Sequence, residues 1–167
     1  MAGMGLIDEA VMFSPNMPES VNALLQSAVI ASRNDKVKAE ALFMQAFDLD
    51  SHCLQSYFAL YKFYFYQARL KESEHFIIAG LEEAARQGGF PSDFHRLYRE
   101  QSKWDLYANE ATLFYLYTLK ALAFIKLRLD QKTQAHTILD IMLELDPEDR
   151  SGASVIMDLA KGLKEDK

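Results

Sequence analysis

This chain has little of what ends, cross-links or charges a structure strongly. It holds one cysteine, Cys53, in 167 residues. A lone cysteine closes no internal disulfide and is too few for a structural zinc site. It fits a reducing, cytoplasmic setting, where a free cysteine serves as a small, partly buried residue. Proline (4) and glycine (7) are scarce, and Pro15, Pro18 and Pro91 stand in apparent loops or helix starts, so little interrupts a helix. Basic runs are missing too. No Lys/Arg run exceeds two residues and the net charge is −6, whereas nucleic-acid binders carry a basic stripe that neutralises phosphates. No nucleic-acid partner is expected, and the acidity serves solubility. Long apolar runs are also absent. The most apolar stretch, Ala111 to Leu127, follows Glu110 and is broken by Lys120, short of the roughly 20 apolar residues a spanning helix needs. Met1 to Phe13 carries Asp8 and Glu9 and no basic start, which argues against a signal peptide. No membrane partner is expected.

What is present is helix-forming sequence. Half of the residues are hydrophobic, enough for a sizeable core, and the length suits one domain. Residues 1–15 read as a flexible segment. Asn16 and Pro18 suit a helix start, since Asn caps well and Pro is accepted in the first turn. Helices are expected up to about Ser32, then over about Lys36–Asp48, His52–Ala68 and Lys71–Arg86, the last closed by Gln87-Gly88-Gly89-Phe90-Pro91. Ser92 reads as the cap of a fifth helix reaching about Ser102. A long helix from about Leu106 to Leu129, another from Thr133 to Leu145 and a last one from about Ser151 to Leu163 complete the chain, before a charged tail at 164–167. Val37, Leu42, Phe43, Ala46 and Phe47 recur at three-to-four spacing, and no stretch shows the alternation of a strand.

Paired helices call for a search for repeats. Ala39-x3-Phe43 is followed by Ala46 and Ser51. Ser73-x3-Ile77 stands 34 residues later, followed by Gly80 and Ala85. Ala135-x3-Leu139 is followed by Met142 and Pro147. The first small residue lies 12 positions before the last member in all three. Tyr57 likewise lies 34 after Ala23. Small residues at 39, 73 and 135 let the two helices of a hairpin approach closely, and Phe43, Ile77 and Leu139 fill the space between hairpins. Ser73 and Ala135 are 62 apart, 28 more than one repeat (62 − 34), so residues 88–115 read as an insertion.

Tyr57-x2-Leu60-Tyr61-x2-Tyr64, with Leu119-x2-Leu122-Ala123 and the run Ile138 to Pro147, resembles the tetratricopeptide repeat (TPR) family. The repeats would be Ser20–Cys53, Leu54–Gln87 and Leu116–Asp149, with Ser151–Leu163 as a capping helix, all within one domain over 16–163. The resemblance implies an all-α superhelix of about three TPR-like hairpins and a non-catalytic role in binding a protein or peptide, as adaptor, scaffold or assembly factor. It departs from the family where a small glycine is usual: Ser27, Tyr61 and Ala123 stand there, and the bulk of Tyr61 is expected to open the second hairpin. By position, the concave face would present Leu24, Ala28 and Ala31 from the first repeat. The second would offer Gln55, Phe58, Lys62, Phe65 and Tyr66, and the third Tyr117, Lys120, Phe124 and Arg128. Aromatic anchors with scattered cations suit an apolar partner with acidic groups. Leu24 and Ala28 stand where some family members carry carboxylate-clamping side chains, so a groove mode for a helix or extended peptide is the better expectation.

Two alternatives belong to other classes. Tyr57 to Tyr66 carries aromatics on every face, and a helix apolar all round must be buried or meet a partner; a homodimer would supply one. Glu72-x2-His75 has the spacing of a di-iron motif, but no second Glu-x-x-His exists. Cys53 adjoins His52, and helical neighbours diverge too far to pair as nucleophile and base. No Gly-rich phosphate loop or nucleophile elbow occurs, so neither catalysis nor a cofactor is expected. Phe94, His95, Leu97, Tyr98, Trp104 and Asp105 in the insertion form a second candidate surface, or else the side by which the insertion packs back.

Overall fold

In a computed structural model of the chain, the described residues are 16–165. The expected flexible segment 1–15 lies outside them. The described residues form helices and turns without a strand: α1 (Glu19–Ala31), α2 (Lys36–Leu49), α3 (Leu54–Tyr66), α4 (Leu70–Gly88), α5 (Phe94–Arg99), a 3-10 turn (Gln101–Lys103), α6 (Glu110–Arg128), α7 (Lys132–Leu145) and α8 (Ala153–Glu165). The fold is all-α. The chain divides into two compact units, Met1–Phe76 and Ile77–Lys167, with the boundary inside α4.

Where the helix ends differ from the sequence reading, a local hydrogen bond decides. Pro18, not Asn16, occupies the position before α1, and its carbonyl accepts from Asn22 N at 3.0 Å. Asp93 rather than Ser92 caps α5, accepting from His95 N at 2.9 Å, and that helix stops at Arg99. α6 begins at Glu110, not Leu106. Asn109 accepts from Thr112 N, and Thr112 Oγ1 accepts from Asn109 N, each at 3.1 Å; this reciprocal box fixes the start, while Asp105 turns the preceding loop through Tyr107 N at 3.0 Å. α8 runs to Glu165, into the expected tail.

The first unit is built around an aromatic helix. Leu54 to Tyr64 is buried without a break, so the chain itself covers most of the aromatic stretch Tyr57 to Tyr66 and leaves only Phe65 half-buried and Tyr66 exposed. α2 packs on α1 and on α3. Phe43 meets Phe63 with ring centres 5.0 Å apart, Phe47 meets Tyr57 edge-on at 5.1 Å, and Phe76 of α4 packs on Phe47 and Tyr64 at 5.6 and 5.8 Å. The Tyr61 ring meets Phe58 edge-on at 5.5 Å, and the Tyr61 carbonyl accepts from Ser73 Oγ at 2.8 Å. Arg69 ties the periphery together: it lies 4.6 Å over the Tyr64 ring, pairs with Glu40 at 2.9 Å and also pairs with Glu72. That guanidinium holds the Glu40 carboxyl below its usual range, ahead of the contribution of Tyr64.

In the second unit α6 packs on α7 and α8, α7 on α8, and α5 on α7. The insertion folds onto this unit: Phe90 meets Tyr115 edge-on at 5.0 Å, and Tyr115 OH donates to Ser92 O at 2.6 Å. The α7–α8 connection is organised by Asp146, 5% exposed. Its carboxylate accepts from Tyr107 OH at 2.5 Å, Ser151 Oγ at 2.6 Å and the Arg150 and Ser151 amides at 2.9 Å each. Burial pulls this carboxyl upward, but the bonds from Ser151 and Tyr107 together outweigh it and hold it below its usual value. The same contact works the other way on Tyr107, whose hydroxyl is pushed up to about 12 by burial and then by Asp146.

Three helices end in the same left-handed closure, and only one does so on glycine. Ala68 (φ 59), Asp130 (φ 60) and Gly89 (φ 74) sit there, with Arg69 N to Tyr64 O at 3.0 Å, Gln131 N to Lys126 O at 2.8 Å and Phe90 N to Ala85 O at 3.1 Å closing each end. A Cβ costs energy in that region. Ala68→Gly is therefore expected to stabilise the protein by roughly 0.5–1 kcal/mol, read as a higher urea midpoint with an unchanged slope. The Asp146 hub gives a second expectation. A carboxyl whose pKa is depressed on folding contributes stability at neutral pH that is lost as pH falls through its folded value. Tm should fall steeply below about pH 4, and Asp146→Asn should lose about 1–3 kcal/mol at neutral pH and flatten that acid slope.

Candidate functional site

The nominated residues of α3 divide by depth. Gln55, Phe58 and Lys62 are buried (8, 0 and 7% exposed), while Tyr66 is 50% exposed and Phe65 is half-buried. Lys62 Nζ lies 5.0 Å from the Phe58 ring centre and 5.7 Å from that of Tyr66, so the cation runs along two of the nominated aromatics, a favourable placement for an ammonium. Phe65 and Tyr66 pack edge-on at 5.3 Å. In the second unit Tyr117, Lys120 and Phe124 on α6 are half-buried and Arg128 is exposed. Lys120 Nζ lies 3.9 Å from the Tyr117 ring centre, and burial pulls its ammonium below the usual value against the opposing fields of Asp149 and Asp146. Of the first-repeat positions, Ala28 and Ala31 are buried and Leu24 is half-buried.

A site that the repeat reading did not nominate lies in the second unit. A groove of about 550 Å³ opens between α4, α6, α7 and the start of α5. Its residues recur one turn apart on each helix, so they share a face. α4 contributes Ile78, Leu81 and Glu82; α6 contributes Leu122 and Lys126; α7 contributes Thr133, Thr137 and Ile138. The insertion closes one wall with Asp93, Phe94 and His95. Leu81 and Ile138 are buried, at 5 and 2% exposure, and form the floor, while Ile78 is 42% exposed at the mouth. The polar groups stand around the apolar floor, the usual composition of a binding cleft, and the volume falls in the usual range.

The backbone explains why the wall stands there. A Cβ on Gly88 would come within 2.4 Å of the Phe90 ring, so the glycine lets Phe90 fold back against Tyr115. The Tyr115–Ser92 bond then fixes the loop, and Asp93 starts α5. Leu97, fully buried, anchors that helix. Of the two alternatives for the insertion, packing back is met at Leu97, while Phe94 and His95 line the groove. Trp104 and Asp105 lie elsewhere, on a smaller cavity of about 210 Å³ shared with Tyr107, Leu145 and Pro147. There the Trp104 indole N–H is buried without a hydrogen-bond partner among the described residues.

Among the described residues no group of three or more His, Cys, Asp and Glu is placed to hold a metal ion. Glu72 is committed to Arg69, and the His75 ring packs edge-on against Phe76 at 5.0 Å. Cys53 is a buried free thiol. No described helix is long and apolar enough to cross a membrane.

Compared with protein-family models, with curated proteins and with solved structures, the chain finds no match. The fold and the groove therefore define no more than a class, an all-helical protein with a preformed cleft on rigid helices.

Proposed function

We propose that this chain is a non-catalytic helical-repeat protein that binds another protein, as adaptor, scaffold or assembly factor, in a reducing, cytoplasmic setting. The observation that carries this reading is the groove of the second unit. It is an open apolar trough with a polar rim, held by helices rather than by a mobile loop, and this is a form suited to receiving side chains of a partner segment. The TPR-like register supports the same reading. Its small positions Ala39, Ser73 and Ala135 are all 0% exposed, as stacked hairpins require. Tyr66 and Arg128 are the exposed members of the concave set and remain candidate contacts beside the groove.

Affinity capture from host lysate tests the reading. Wild-type bait is compared with Ile78→Asp in the groove and with a Tyr66→Ala, Arg128→Glu variant, each checked for helicity by circular dichroism. These exposed positions spare the core, unlike Lys62, whose replacement by Glu would bury an uncompensated charge. A specific partner is expected with wild type and is expected to fall about tenfold or more with one of the variants. Retention of no protein above background would overturn the proposal.

Self-association is a second reading, favoured by Val155 and Leu159, 68 and 45% exposed and one turn apart on α8. Light scattering across a dilution series decides it: a mass that halves on dilution supports a dimer, and a constant 19.1 kDa rules one out.

A further inference from the structure

The rim of the groove carries a charge preference. Glu82 and Asp93 both line it and both are exposed. Arg86, one turn along α4 from Glu82, pairs with Glu83 instead, and no ion pair among the described residues engages Glu82. Asp93 uses one carboxylate oxygen to cap α5 through His95 N, which leaves its second oxygen to a ligand. Lys126 is the only full cation among the lining residues, and it already has a partner of its own. Two carboxylates against one engaged ammonium leave the wall with a formal charge of −1.

Beneath this rim the floor is aliphatic and aromatic: Ile78, Leu81, Phe94, Leu122 and Ile138. Resting on the protein-binding reading above, we infer that the groove receives a peptide segment of a partner that places a large apolar side chain on this floor and a neighbouring Arg or Lys against Glu82 and Asp93. The apolar side chain supplies the buried area. The basic one supplies charge-assisted hydrogen bonds at a half-exposed rim and sets which segment is accepted. An acidic peptide meets two like charges there and is rejected.

A random-sequence linear peptide display library, panned against the full chain, tests this directly. Selected peptides are synthesised and titrated into isotope-labelled protein, with amide shifts mapped by NMR and affinities measured by fluorescence anisotropy. Enrichment of Leu, Ile or Phe beside Arg or Lys is expected, with shifts centred on Ile78, Phe94, Leu122 and Ile138. Affinity is expected to drop about tenfold or more in a Glu82→Gln, Asp93→Asn double variant, in which Asn preserves the α5 cap. Asp140→Asn, which removes an exposed carboxylate of α7 outside the groove, serves as the charge-matched control and is expected to leave affinity unchanged. Enriched peptides that are acidic or uncharged, or that bind the double variant equally well, overturn the inference. Binders that map to Tyr66 on α3 or to Tyr117 and Arg128 on α6 overturn it too but leave the protein-binding reading standing. A library that yields no binder removes both.

Discussion

Two helices can lie close along their length only where the facing side chains are small. In this chain that condition is met at Ala39, Ser73 and Ala135, none of them exposed. At Ser73 the approach is close enough for a side chain of α4 to reach a main-chain carbonyl of α3. The large residue four positions on, Phe43, Ile77 or Leu139, is buried as well, and Phe43 meets Phe63 of α3. All three are 1% exposed. The buried surface of each hairpin follows from these pairs of positions, and so does the placement of the polar faces that remain. In the second unit Ala135 lies on α7, the helix whose Ile138 floors the groove together with Leu122 of α6 and Leu81 of α4.

Much of the architecture was legible in the sequence because it is written in periodicity, which survives any detail of packing. Eight helices were expected and eight are present among the described residues. The ends were read less well, for a consistent reason. Ser92 and Asp93 stand side by side, both able to cap, and the choice between them is made by one local hydrogen bond, from His95 N to Asp93, that residue type alone does not specify. Ala68 and Asp130 were not recognisable as left-handed closures, because glycine is the usual signal for that conformation and neither is glycine. The bulk of Tyr61 likewise gives no sign in the sequence of where its ring goes, which is onto Phe58.

The site was legible only in part. The repeat register nominated the first helix of each hairpin, yet Gln55, Phe58 and Lys62 are buried in the chain itself. A helix with aromatics on every face gives no sequence sign of which face the rest of the chain will cover. The groove was missed because its residues come from α4, α6, α7 and the insertion, and no single segment carries its pattern. One signal was present: residues 88–115 break the 34-residue register, and Phe94 and His95 within them carry chemistry. A departure from a repeat marks added structure, and added structure must either pack or bind. Here it does both.

That double role has a physical logic. A short segment leaving a regular stack has to bury its own apolar side to repay its lost conformational freedom. Leu97 and Phe90 do this, and the Tyr115–Ser92 hydrogen bond fixes the segment in place. Beside those contacts, Phe94 and His95 line a cleft whose other walls are helices α4, α6 and α7. Preorganisation of this kind lowers the ordering cost of binding, so a modest apolar contact with one or two charge pairs can suffice for recognition. The helices supply three walls of the groove and residues 92–95 the fourth, with Glu82 and Asp93 exposed at the rim; on the proposed reading, that rim charge would be what distinguishes one partner segment from another.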